Sequence, residues 1–180
     1  LFALDSSGGG LVVQSFAAYW FYLRFGVDPQ TLGVLFFAAN VLAGVSALLA
    51  SRLANRIGLI NTMVVTHLPS NVLLILIPLM PTLTLATILL LVRFSISQMD
   101  VPTRQSYVMA VVTPAERSAA ASVTAVPRSL ASSISPAIAG VLLTTSFSGL
   151  PLVVCGALKI AYDLALLFSF RHIKPPEEQG

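Results

Sequence analysis

The chain has 180 residues, of which 56% are hydrophobic and only 9% charged. Soluble domains carry about 25% charged residues, so this composition excludes an ordinary soluble globule and predicts a polytopic membrane protein. The net charge of +3 is scattered, without a basic cluster interleaved with aromatics, which excludes a nucleic-acid-binding surface. The single cysteine, Cys155, excludes an internal disulfide or a thiolate metal site and reads as a small buried apolar residue.

A bilayer core takes about 20 apolar residues per helix, and six stretches of that kind follow one another. The first runs from Phe2 to Arg24, interrupted by Gly8, Gly9 and Gly10, and Gly26 to Pro29 turn the chain. Tyr19, Trp20 and Tyr22 near its end read as an interfacial aromatic belt. The second runs from Thr31 to Ser51, followed by a short basic loop, Arg52 to Gly58. The third spans Ile60 to Leu79, and Pro81 and Thr82 make a tight turn. The fourth covers Leu83 to Gln105 and can extend to Val112. Thr113 to Arg117 form a turn and a helix start, with Pro114 at the first helical position. The fifth, Ser118 to Thr145, is rich in Ala and Ser and contains Pro127, Arg128 and Pro136. The sixth runs from Leu152 to Phe170, and a polar tail with Pro175 and Pro176 is expected to be disordered. The chain opens on Leu1 within a helix-like stretch, so the expectation is a piece of a longer protein.

Basic residues orient the bundle. Numbering the loops alternately puts Arg52, Arg56, Arg104, Arg117, Arg171 and Lys174 on one side and Arg24 alone on the other. Cytoplasmic loops carry the excess of Lys and Arg. The C-terminus is therefore expected in the cytoplasm, with the protein in a plasma (inner) membrane of prokaryotic type.

Two of the loops carry a family pattern. Ser51-Arg52-Leu53-Ala54-Asn55-Arg56-Ile57-Gly58 resembles the signature loop of the major facilitator superfamily, Gly-x-x-x-Asp-Arg-x-Gly. Arg56 and Gly58 match, while Ser51 and Asn55 replace the Gly and the Asp. Pro114-Ala115-Glu116-Arg117 resembles the Pro-x-Glu-Arg segment between the tenth and eleventh helices of that superfamily. Ser135-Pro136-Ala137-Ile138-Ala139-Gly140 is similar to the Gly-Pro-x-x-Gly segment of its antiporter-like members and points toward export. The resemblance implies an all-α membrane protein of six transmembrane helices in two inverted three-helix repeats. That is the C-terminal half of a twelve-helix transporter working by alternating access. The partners it implies are a small-molecule solute, protons, the lipid bilayer and an N-terminal six-helix half absent here. No cofactor, metal or nucleic acid is implied.

Ionisable groups at membrane depth mark functional sites or structural pairs. In inverted-repeat transporters, Gly/Pro-interrupted helices at matching positions point to the binding site. The first helix here carries Asp5 with Gly8, Gly9 and Gly10, and the fourth carries Asp100 with Pro102. Asp5, Gln14, Asn40, Arg93 and Asp100 are the candidates for substrate or proton coupling. The glycines serve equally as close-packing positions, and Gln14 and Asn40 can equally join helices. Arg93 binds a polar or anionic solute, or pairs structurally with Asp163 or an absent partner. Asp100 and Arg104, four residues apart, share a helical face and suit a gating or structural bridge. Arg56, Gly58, Arg104, Glu116 and Arg117 are gating or structural loop positions. Gly8, Gly9, Gly10, Pro102, Pro127 and Pro136 are flexing points. Lys159 and Asp163 are expected to neutralise each other, and His67 and Asn71 to make a polar helix contact around Pro69. Arg128 either lines a cavity or snorkels.

Enzyme signatures such as HExxH, a Gly-Lys-Ser phosphate loop or a Gly-x-Ser-x-Gly elbow do not occur in the sequence, so no catalytic residue is assigned. Two other readings stay open: a stand-alone six-helix protein pairing as a homodimeric half-transporter, and a non-transport membrane scaffold or intramembrane enzyme.

Overall fold

The structure, a computed structural model, describes residues 14–111, 117–143, 145 and 147–170. Among these residues the regular structure is helical, with no strand. The helices are α1 (Gln14–Phe25), α2 (Pro29–Ile57), α3 (Leu59–Leu76), α4 (Leu83–Ser97), α5 (Asp100–Val111), α6 (Arg117–Leu143) and α7 (Leu150–Phe170), with a 3-10 turn at Ile77–Leu79. Among the described residues four stretches are long and apolar enough to cross a membrane: Pro29–Ile57, Leu59–Leu79, Leu83–Tyr107 and Leu150–Ser169. In α6, Ser133–Leu143 forms a shorter apolar helical stretch.

Local chemistry sets the boundaries. Asp28 caps α2, its carboxylate accepting from the Thr31 N–H at 3.0 Å, with Pro29 in the first turn. The expected loop at Arg52 to Gly58 is instead the last turn and a half of α2. Its Arg, Leu and Ala are good helix formers, and only Gly58, at φ +85°, ends the helix. The fourth span is broken rather than continuous. Pro102 has no N–H to donate to the Gln98 carbonyl four residues earlier, and Gln98 leaves helical geometry at φ −95°, ψ 0°. α4 and α5 therefore meet at a joint of two residues, Gln98 and Met99.

α3 is the axis of the bundle, packing most extensively on α7 and also on α2, α4 and α5. Gly156 permits the close approach of α7, since a Cβ there would lie 2.5 Å from Ile75 Cγ1 and 2.9 Å from the Asn71 carbonyl oxygen. One apolar cluster joins Trp20, Phe21, Phe36, Leu74, Leu90 and Leu152. A second joins Ile60, Met63, Val64, Tyr107, Tyr162 and Leu166. Phe37, Leu48 and Phe168 are among the large side chains that face outward, as lipid-facing positions do. Trp20 departs from the expected aromatic belt: it is buried, edge-on to Phe21 and Phe25 at 5.1 and 5.7 Å. A helix puts neighbouring positions about 100° apart, so Tyr19 and Tyr22 stay outside while Trp20 turns inward.

Candidate functional site

Polar residues from α3, α4, α5 and α7 converge between the helices. His67 and Asn71 lie one turn apart on α3 and both face Asp163 of α7. His67 Nδ1 is 2.7 Å from Asp163 Oδ1, and Asn71 Nδ2 donates to Asp163 Oδ2 at 2.9 Å. All three are buried. With Asp163 ionised, Nδ1 carries the imidazole proton and donates it, so the 3.3 Å approach of Asn71 Nδ2 to Nδ1 is a contact between two donors. The carboxylate expected to neutralise Lys159 is thus held by two groups of another helix. Residues 159 and 163 share a helical face, and α3 packs onto α7 there and brings these two further partners to the carboxylate.

Beside this triad, Asp100 of α5 is bridged by Arg104. Arg104 also lies over the Tyr162 ring at 5.8 Å, and that ring stands edge-on to His67 at 6.4 Å. The two charged groups are therefore joined through Tyr162. Arg93, on α4, approaches the Phe94 ring at 5.4 Å. Its Nε is buried without a hydrogen-bond partner, as is the hydroxyl of Ser97 one turn later. A cleft of about 180 Å³ lies among these groups, reached by His67, Arg93, Ser97, Asp100, Arg104 and Lys159.

Gln14 and Asn40 are also brought together, away from this cleft. Asn40 Nδ2 donates to Gln14 Oε1 at 3.3 Å and to its own helix at the Phe36 carbonyl at 2.8 Å. An apolar groove between α1 and α2, lined by Ala18, Leu32, Phe36 and Phe37 among others, opens next to Gln14. Asp5, Gly8, Gly9, Gly10 and Glu116 lie outside the described residues, as do the side chains of Arg117, Pro127 and Arg128. Pro136 is half-buried within α6.

The family model of the Major Facilitator Superfamily matches residues 2–180. The chain belongs to the major facilitator superfamily. It is thus an integral, multi-pass membrane protein of the major facilitator type. A Saccharomyces cerevisiae protein described as an uncharacterized membrane protein is 26% identical over 171 residues, covering 94% of this chain and 38% of that relative. The chain therefore spans well under half the length of the curated relative it matches. No solved structure matches it. In this superfamily member the segment resembling the signature loop lies at the α2–α3 junction, with Arg56 exposed and Gly58 forming the turn itself.

Sequence reasoning missed Ser97 and Tyr162 as parts of the site. Ser97 was discoverable, since it lies four residues after Arg93 and so shares its face. Tyr162 carried no such signal, because its role depends on which helices flank α7.

Proposed function

We propose that this chain is the C-terminal six-helix half of a secondary active transporter that moves a small solute by alternating access. The observation that carries this reading is the buried charge on the fourth span. Arg93, Asp100 and Arg104 sit in a helix otherwise apolar enough to cross a membrane, around a two-residue joint. Charge at that depth is expensive and is retained where it serves a pathway, and a broken helix is the expected neighbour of a transport site. Asp100, buried beside the joint, is the coupling carboxylate that the described residues favour, with Asp5 as its counterpart in the first helix. A carboxylate in such a place binds a proton in one state of the cycle and releases it in the other. The excess of Arg and Lys on one set of loops supports a cytoplasmic C-terminus, and Ser135 to Gly140 supports export.

The test uses the full-length protein. A deletion strain screened for growth on toxic compounds and nutrients identifies the solute, and proteoliposomes then report its flux with and without an imposed proton gradient. Gradient-driven flux that falls in an Asp5→Asn, Asp100→Asn double variant is the expected result. Gradient-driven flux unchanged in that variant rejects the coupling role, and absence of solute flux in any screen condition rejects the transport reading.

A further inference from the structure

We propose that the cleft between α3, α4, α5 and α7 is a binding site for a small carboxylate-bearing organic anion, clamped by Arg93. This deepens the transporter reading, because it names the class of solute.

The argument begins with charge. Around the cleft stand three cations, Arg93, Arg104 and Lys159, against two carboxylates, Asp100 and Asp163. Among these five described side chains one positive charge is in excess. Asp100 is bridged by Arg104, and both oxygens of Asp163 are taken by His67 and Asn71. Arg93 makes no ion pair among the described residues. A guanidinium so placed in the middle of a span strongly favours a counter-charge.

Geometry narrows what that counter-charge is. Arg93 Nε is a buried donor without a partner, and Ser97 Oγ is a second one. Ser97 is only 5% exposed, sits one turn further along the same helix, and borders the same space. A carboxylate presents two coplanar oxygens, which match the fork of a guanidinium and can also accept from a neighbouring hydroxyl. The cleft holds about 180 Å³, which admits a compact organic acid. A matched cation meets the uncompensated charge of Arg93. Neutral polyols leave the excess charge uncompensated.

Binding is read on the purified full-length protein in detergent, by thermal unfolding, so that it stands apart from any transport measurement. The probes share one four-carbon skeleton: succinate, butane-1,4-diol and butane-1,4-diamine. Acetate and lactate serve as smaller carboxylates. The expected result is a rise of the unfolding midpoint with carboxylate concentration, and none with the diol or the diamine. Loss of a bidentate charged contact in Arg93→Gln should move the half-effect to about tenfold higher carboxylate or beyond. Arg93→Lys, which keeps the charge without the fork, should fall between. Without ligand, Arg93→Gln should unfold at the same temperature as the parent or higher, because an uncompensated cation has been removed. No rise with any of the three carboxylates, an equal rise in Arg93→Gln, or a rise with the diamine overturns the proposal. A ligand-free midpoint well below the parent in both Arg93→Gln and Arg93→Leu also overturns it, since Arg93 is then half of a structural pair. Carboxylate binding without any flux would leave this site standing and reject the transporter reading alone.

Discussion

His67 and Asp163 lie 96 positions apart in sequence, yet their side chains meet at 2.7 Å in the interior, closing α3 onto α7. Asn71 takes the second oxygen of the same carboxylate. Removing the carboxylate leaves the buried donors of His67 and Asn71 unsatisfied, at about 1–3 kcal/mol each. Asp163→Ala should therefore unfold at a clearly lower temperature than the parent. His67→Leu with Asp163→Leu should recover part of that loss, because the imidazole is no longer orphaned and only the Asn71 amide loses its partner. A double-mutant cycle in detergent measures the coupling, and a cycle that closes to zero would contradict the contact.

Gly156 is the second device that holds these helices together. A methyl there would meet Ile75 Cγ1 at 2.5 Å and the Asn71 carbonyl oxygen at 2.9 Å. The Ile75 side chain can move, but the Asn71 backbone cannot move without disturbing its side chain's grip on Asp163. Gly156→Ala is expected to destabilise by about 1–3 kcal/mol, the usual cost of overpacking, and Gly156→Val by more. Thermal unfolding of both variants checks the order.

The joint at Gln98 and Met99 exists because Pro102 cannot donate to Gln98. Replacing Pro102 with Ala restores that donor; an interior proline costs a helix about 3 kcal/mol, and in this first turn of α5 the gain is smaller. Pro102→Ala should raise the unfolding midpoint while slowing solute flux by the full-length protein. A variant that is both more stable and equally fast would show that the joint serves no step of transport.

At the opposite edge of the bundle, Asp28 gives a pH-dependent contribution. The Thr31 hydroxyl donates to it at 2.6 Å and the Thr31 N–H at 3.0 Å. These bonds, the hydroxyl first, hold its carboxyl below the ordinary value of 3.8. A carboxylate whose folded pKa is depressed stabilises the fold above its unfolded pKa, and that contribution is lost as the pH falls through the folded value. Asp28→Asn should accordingly lower the midpoint slightly at neutral pH. The gap from the parent should shrink below pH 3.8 and close further down. Midpoints measured from neutral pH into that acid range check the sign.

Much of the bundle was legible along the chain, and the exceptions have physical reasons. The spans Leu59–Leu79 and Leu150–Ser169 fall almost where hydropathy predicts, because twenty apolar residues in lipid have few alternatives to a helix. The Arg52 to Gly58 stretch was misread because charge suggests a loop, whereas its residues individually favour helix up to Gly58. The fourth span was marked as weak at Pro102, and the joint falls four residues earlier, at Gln98 and Met99, because the missing donor frees the Gln98 carbonyl. For the site, Arg93, Asp100 and Arg104 were evident as charges in apolar surroundings. The grouping of His67, Asn71 and Asp163 was not, since the nearest complementary charge along the chain, Lys159, was the obvious partner for Asp163.

Composition and hydropathy were enough to place this chain in lipid, to count its apolar stretches and to mark which ionisable groups need an explanation. Those features follow from transfer energies, which are properties of each residue and its neighbours in line. Which carboxylate meets which donor, and that Arg93 has no carboxylate within ion-pair distance among the described residues, was settled only when α3 packed between α5 and α7. Pairing across helices depends on rotation and close approach, here set by Gly156 and by the joint after Ser97, and neither is encoded in the spacing of charges along one helix.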